Sequence, residues 1–195
     1  MYTKDWALNF NGFSKNEEID LKMFSNFFEE YIANRKYIYL DDKGEARIKI
    51  VVEGTQLPHV LGLHKWNNLP SKNASLQYEA MKNGDIDLDL LKIDDGTWQE
   101  YRKRIEFIPY SYKMLTVVGN SDIRIVPSEK SNTFRKRGID IIFKIPTSKF
   151  IYVLEMRRID DHYVFTSSSV YNRNSSAFKA KYNIVPISQI SIIEK

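Results

Sequence analysis

Two of the chain's three histidines stand five residues apart in Gln56-Leu57-Pro58-His59-Val60-Leu61-Gly62-Leu63-His64-Lys65-Trp66. A neutral imidazole is the natural general base at neutral pH, because its pKa lies close by. At about 100° per residue a helix sets these two rings roughly 140° apart, so at most one is expected to point into a site. The spacing also argues against a two-histidine metal site, which on a helix uses a separation of four. The plain alternative is a capping or core His59 and a surface His64. The second promising stretch is Thr166-Ser167-Ser168-Ser169, followed by Tyr171 and Arg173. On a strand, Thr166 and Ser168 face one way and Ser167 and Ser169 the other. Arg157 is expected on the adjacent strand, with Arg158 on the opposite face. Guanidinium and hydroxyl donors converging on one sheet face suit a phosphate, although an exposed, soluble edge accounts for the same residues. His162, at the start of a strand, ranks below the other two histidines.

Two basic triplets, Arg102-Lys103-Arg104 and Arg135-Lys136-Arg137, join Lys130, Lys144 and Lys149 to make the C-terminal half basic. That polarity favours a nucleic-acid face, against the blander reading of solvated helix and loop surfaces. Asp85-x-Asp87-x-Asp89 fails as a calcium loop: its sixth position is Leu90 and no glutamate follows at the twelfth. It reads as a solvated acidic edge. There is no phosphate-binding glycine loop, no HExxH and no serine-hydrolase elbow. Metal-free phosphate chemistry or plain binding remains, with no cofactor implied.

These side chains need a frame. Ser14-Lys15-Asn16-Glu17 fits a capping box, followed by a helical stripe of Ile19, Met23, Phe27 and Tyr31 with Phe24 and Phe28 alongside. Residues 1–13 read as an arm or short edge element. Tyr37–Leu40 and Ala46–Val52 form a hairpin around Asp41-Asp42-Lys43-Gly44. Pro58 suits the first turn of a short helix. Ser75–Met81 is a helix closed by Asn83-Gly84. Ile86 to Leu91 is a short helix or an extended segment. Asp94-Asp95-Gly96 is a turn, and Thr97-Trp98-Gln99-Glu100 caps a helix that Pro109 should kink or split. From Ile123 onward the apolar residues alternate at period two, through Ile139–Phe143, Phe150–Met156 and Tyr163–Ser167. Four antiparallel strands are expected there, then a helical turn over Ser175–Tyr182, an edge strand near Ile184 and a last element over Ile187–Ile193. The fold class is α+β: N-terminal helices and a hairpin, then an antiparallel sheet of about four strands. The expected division is a helical lobe over residues 1–36 and an α+β domain over 37–195.

The bulk composition sets limits on what the chain does. Its 195 residues, 43% hydrophobic and 13% aromatic, are enough for a real core and argue against disorder. A net charge of +4 permits a polyanionic partner without demanding one. Zero cysteines exclude disulfides, cysteine-ligated zinc and a thiol nucleophile. The N-terminal residues lack the pattern of a signal peptide, and no apolar run approaches a membrane span. The cytoplasm is the expected compartment, with no membrane partner.

The run Leu-Pro-His-Val-Leu-Gly-Leu over residues 57–63 resembles the histidine-leucine-x-glycine helix of a phage-associated nuclease family. That family is grouped with barnase, EndoU, the tRNase colicins and RelE in the BECR fold. The order of elements is also similar, over residues 37–195, down to a closing segment like Val185-Pro186-Ile187-Ser188. The resemblance implies a metal-independent endoribonuclease, of phage or toxin type, in which a ribose 2′-hydroxyl attacks the neighbouring phosphorus. It carries over one residue, His59, as general base or acid. The reading of the sheet adds Arg157 as phosphate stabiliser, Thr166 and Ser168 as hydrogen-bond donors and Tyr171 for positioning or proton transfer. His64, Lys65, Arg173 and the two triplets would hold nucleic acid. RNA is then the expected partner, with a protein inhibitor or antitoxin as a second. The alternative is a catalytically inactive protein of a phage or mobile element, such as an inhibitor of bacterial defence. The aromatic surplus and basic triplets serve that reading equally well.

Overall fold

A computed structural model describes residues 1–15, 17–129, 131–178 and 182–194. Side-chain caps mark where most helices begin. The N-terminal stretch is not an edge element but helix α1 (Lys4–Asn9), started by Thr3, whose hydroxyl oxygen accepts from the Trp6 N–H at 3.1 Å. Helix α2 (Leu21–Tyr31) starts at Asp20, which accepts from Met23 N–H at 2.8 Å. The Ser14–Glu17 box starts no helix. Ser14 N–H donates to the Glu17 carboxylate at 3.0 Å within a turn, and Asn16 of that box lies outside the described residues. Asp20 prevails because it stands directly before the buried Leu21, Phe24, Phe27 and Phe28; a cap of this kind contributes about 1 kcal/mol.

The hairpin forms as expected from β1 (Arg35–Leu40) and β2 (Ala46–Val52). A 3-10 turn over Gly54–Gln56 leads into α3 (Leu57–Leu61), with Pro58 in its first turn, and a second 3-10 turn follows over Leu63–Lys65. Helix α4 (Ala74–Asn83) ends at Gly84 with φ +90°, as the Asn-Gly pair predicts. Asp87 is more than a solvated acid: it caps α5 (Leu88–Lys92). Asp94 caps α6 (Asp95–Phe107), so the expected Thr97 cap is displaced, and the Thr97 N–H and hydroxyl both donate to Asp94. Pro109 separates α6 from α7 (Tyr110–Thr116). Then come β3 (Asp122–Ile125), α8 (Thr133–Lys136), β4 (Ile141–Pro146), β5 (Phe150–Ile159) and β6 (His162–Asn172). A 3-10 turn over Ser176–Phe178 opens the Ser175–Tyr182 segment, whose residues 179–181 lie outside the described residues. Strands β7 (Asn183–Ile184) and β8 (Gln189–Glu194) close the chain.

The expected four-strand meander exists as β3-β4-β5-β6, but it is half of a larger sheet. Eight strands among the described residues run in the order β7-β3-β4-β5-β6-β2-β1-β8. The hairpin joins through a parallel pairing of Ile50 with Tyr163, and β8 runs antiparallel to β1. Periodicity marks strands but not their neighbours, so the hairpin's place in the same sheet was invisible.

Both faces of the sheet are covered. Tyr152, Leu154 and Met156 of β5 enter a large core with Phe24, Tyr37, Val60, Trp66 and Ile105, drawn from the helical layer and β1. Ile151 and Val153 enter a smaller one with Val126, Phe134, Ile139 and Ile142, against which Tyr171 and Phe178 pack. Each fully buried aliphatic or aromatic side chain contributes about 1.5–3 kcal/mol. No helix among the described residues is long and apolar enough to cross a membrane.

Candidate active site

Helix α3 buries Leu57, Val60 and Leu61 against the sheet and leaves His59 exposed. It stops at Gly62, whose φ of +81° only glycine adopts readily. A Cβ at Gly62 would meet the Tyr101 ring at 3.1 Å and Arg104 Nη1 at 3.4 Å, so the position is closed on two counts. The left-handed residue also redirects the chain. The expectation that His59 and His64 diverge rested on an unbroken helix. Past Gly62 that extrapolation fails, and the two rings lie with centroids 5.9 Å apart.

Arg104, from α6, stands beside them. Its guanidinium lies over the Tyr101 ring at 4.6 Å and Nη1 donates to Ser167 Oγ at 3.0 Å. Protein covering part of the His64 ring lowers its pKa from the ordinary histidine value, and the positive charges of Lys65, His59, Arg104 and Lys72 add to this. Although the ring is largely exposed, both effects shift it toward its neutral form. Burial also lowers the Arg104 pKa, with the Glu155 carboxylate acting in the opposite sense.

Ser167 faces Glu155 across the β5–β6 pair. The Glu155 side chain is fully buried. Its Oε1 accepts from Arg137 Nη2 at 2.8 Å, while Oε2 has no hydrogen-bond partner among the described residues. Arg137 Nη2 also donates to Tyr171 Oη at 3.1 Å. Burial works most strongly against the Arg137 charge, but Glu155 and Tyr171 together outweigh it and raise the pKa. Burial raises that of Tyr171, and Glu155 adds to the rise. A row, or seam, of polar groups thus runs from the two histidines past Arg104 and the cross-strand pair Ser167 and Glu155 to Arg137 and Tyr171. It follows the part of β6 beyond Tyr163, where the strand's contact with β2 gives way to α3 and α6.

A bulge decides which hydroxyls take part. Met156 pairs with Phe165 and Glu155 with Ser167, so Thr166 is the extra residue. Its Oγ1 is buried without a hydrogen-bond partner among the described residues. Ser168 faces the other way from Ser167 and donates to Val60 O at 2.8 Å, tying β6 to α3. Arg157 is exposed, opposite Val164, and by strand alternation shares its face with Glu155 and Ser167 instead of Ser168. Lys65 and Arg173 are exposed, Arg102 and Lys103 half-buried, with Lys103 Nζ 3.8 Å from the Phe150 ring centroid. Arg135 donates to Val126 O, Pro127 O and the Asp140 carboxylate, while Lys136 is exposed. Lys130 lies outside the described residues. His162 sits 3.3 Å from its neighbour Asp161 near the β5–β6 turn.

Sequence reasoning missed Glu155. Its signal was a lone carboxylate inside the apolar run Ile151–Met156, a place where charge persists only with a partner. A cavity of about 300 Å³ elsewhere, bounded by Phe13, Ile19, Trp98 and Phe107, lies away from this seam. An extended polyanion needs an open cationic surface more than an enclosed cavity.

Compared with protein-family models, the chain matches PBECR4, described as phage-Barnase-EndoU-ColicinE5/D-RelE like nuclease4, over residues 20–193. The match runs from α2 into β8. Neither the curated proteins nor the solved structures contain a significant match.

Proposed function

The chain belongs to the PBECR4 family, the phage-Barnase-EndoU-ColicinE5/D-RelE like nucleases, and on that premise we propose that it is an endoribonuclease that works without a metal. In this reading the ribose 2′-hydroxyl attacks the adjacent phosphorus, leaving a 2′,3′-cyclic phosphate and a free 5′-hydroxyl. His64, shifted toward its neutral form by its surroundings, accepts the 2′ proton. His59 donates a proton to the departing 5′-oxygen. Arg104 holds the charge that develops on the non-bridging oxygens, its N–H groups replacing water. Arg137 adds a second guanidinium near the same phosphate, and Tyr171, bonded to it, extends the surface along the backbone. Arg157, Lys65, Arg173 and Lys136 supply further positive charge for neighbouring phosphates.

The observation that carries this reading is the pairing of the His59 and His64 rings, 5.9 Å apart, at a turn whose Gly62 is approached by Arg104, itself anchored to β6. RNA is the substrate because the attacking group is the 2′-hydroxyl. An enzyme of this kind inside a cell calls for a protein inhibitor that covers the same seam. In the test, purified protein is incubated with an RNA oligonucleotide in EDTA and the ends are analysed. Cyclic phosphate ends are expected, with no cleavage at a site carrying a single 2′-deoxyribose. His59→Ala and His64→Ala should each slow cutting by about two to four orders of magnitude. Equal cleavage of the deoxy-substituted strand, or full activity of both variants, rejects the mechanism.

A further inference from the structure

Arg104 and Arg137 reach the seam from opposite sides of the sheet. Arg104 belongs to α6, whose Ile105 enters the large core. Arg137 follows α8, whose Phe134 enters the small one. Between them lies Glu155, fully buried, with one oxygen bonded to Arg137 and the other without a hydrogen-bond partner among the described residues. A buried carboxylate oxygen without a donor is costly, and a fold retains one only when the charge is compensated nearby. Here the compensation comes from two guanidiniums. Each has committed little of itself among the described residues: Arg104 uses Nη1 on Ser167, and Arg137 uses Nη2 on both Glu155 and Tyr171. The remaining N–H groups of both are available to an oxyanion.

We infer that Glu155 is a positioning residue that holds Arg104 and Arg137 as a paired clamp for the reacting phosphodiester. It does not touch the substrate. Its carboxylate offsets the repulsion between two cations drawn to one spot and fixes the rotamer of Arg137 by a charge-assisted bond. The inference rests on the ribonuclease reading above and adds the device that aims its cations. It also has a counterintuitive consequence. A buried negative charge beneath a phosphate site weakens ground-state attraction for the polyanion, so removing it should not weaken binding. What should suffer is the geometry of the transition state, where a misplacement of about 1 Å costs on the order of a hundredfold.

Glu155→Gln keeps the shape and removes the charge. Steady-state cleavage of an RNA oligonucleotide is expected to show kcat lower by about 10–100-fold, with KM unchanged or lower. The loss should shrink to less than about threefold when Glu155→Gln is made in an Arg137→Lys background, because the fork that is bonded to the carboxylate is then already gone. If Glu155→Gln does not fold, the double variant Glu155→Gln/Arg137→Gln removes both charges at once, and it is expected to fold with the same low kcat. A higher KM with unchanged kcat, or full additivity with Arg137→Lys, overturns the inference while leaving the nuclease intact, as does wild-type kcat in the double variant. Wild-type protein that leaves RNA uncut rejects the ribonuclease reading, and the inference falls with it.

Discussion

The two basic triplets, Arg102-Lys103-Arg104 and Arg135-Lys136-Arg137, are alike in sequence and occupy opposite layers of the molecule. In each the third residue turns to the same place: Arg104 to Ser167, and Arg137 to Glu155, which faces Ser167. The first residues part company. Arg102 lies near Glu106 and helps hold that carboxyl down against the burial that raises it. Arg135 binds two backbone carbonyls and Asp140, closing the loop between β3 and β4. The middle residues differ as well, Lys103 lying over Phe150 while Lys136 is exposed. A run of positive charge is therefore not one functional unit. Within six cations of near-identical type, packing gives two to the candidate site and at least one to structural work.

Single substitutions can break that partition. The largest effect is expected at Arg104: Arg104→Gln should lower kcat/KM for RNA by about 10²–10³-fold, as loss of a preorganised oxyanion donor does. Arg137→Lys keeps the charge but not the fork, and a drop of about 10–100-fold in kcat is expected in the same assay. Equal losses at Arg102 would erase the distinction within the first triplet. Arg135→Ala should act on stability first, costing about 1–3 kcal/mol in urea unfolding, because two carbonyls and Asp140 lose their donor. Lys136→Gln should change little beyond lowering the slope of log affinity against log salt by about one. The smallest effect concerns pH. His64 titrates below the ordinary histidine value, so kcat/KM should rise with pH through a pKa on the acid side of that value. Lys65→Gln removes one of the charges responsible, and the limb should move up toward the ordinary position. A limb that stays put takes His64 out of the base role.

Much of the frame was legible along the chain. The hairpin, the Pro58 helix, the break at Pro109, the glycine stop at residue 84 and the four-strand meander all follow from local pattern. The missed caps have separate causes. Ser14 has the right chemistry, but Asp20 stands directly before the buried stripe of α2, while at α6 the Asp94 carboxylate takes both the N–H and the hydroxyl of Thr97 and starts the helix earlier. For the candidate site, residue types were readable and their partners were not. Ser168 carries the same hydroxyl as Ser167, yet one extra residue in β6 sends it to Val60 and gives Arg104 to its neighbour.

Composition and local order thus specified a cysteine-free α+β chain, its histidine-bearing turn and its surplus of cations, since these depend on near neighbours alone. Folding chose which side chains meet. A glycine at φ +81° brought together two rings that a straight helix would have parted. A bulge in β6 set the hydroxyl register, and two layers packed on opposite faces delivered an arginine each to one carboxylate. Such meetings join residues 63 positions apart, as Arg104 and Ser167 are, or 108, as Val60 and Ser168 are. Their geometry is set by how the layers pack, and no local window of the chain encodes it.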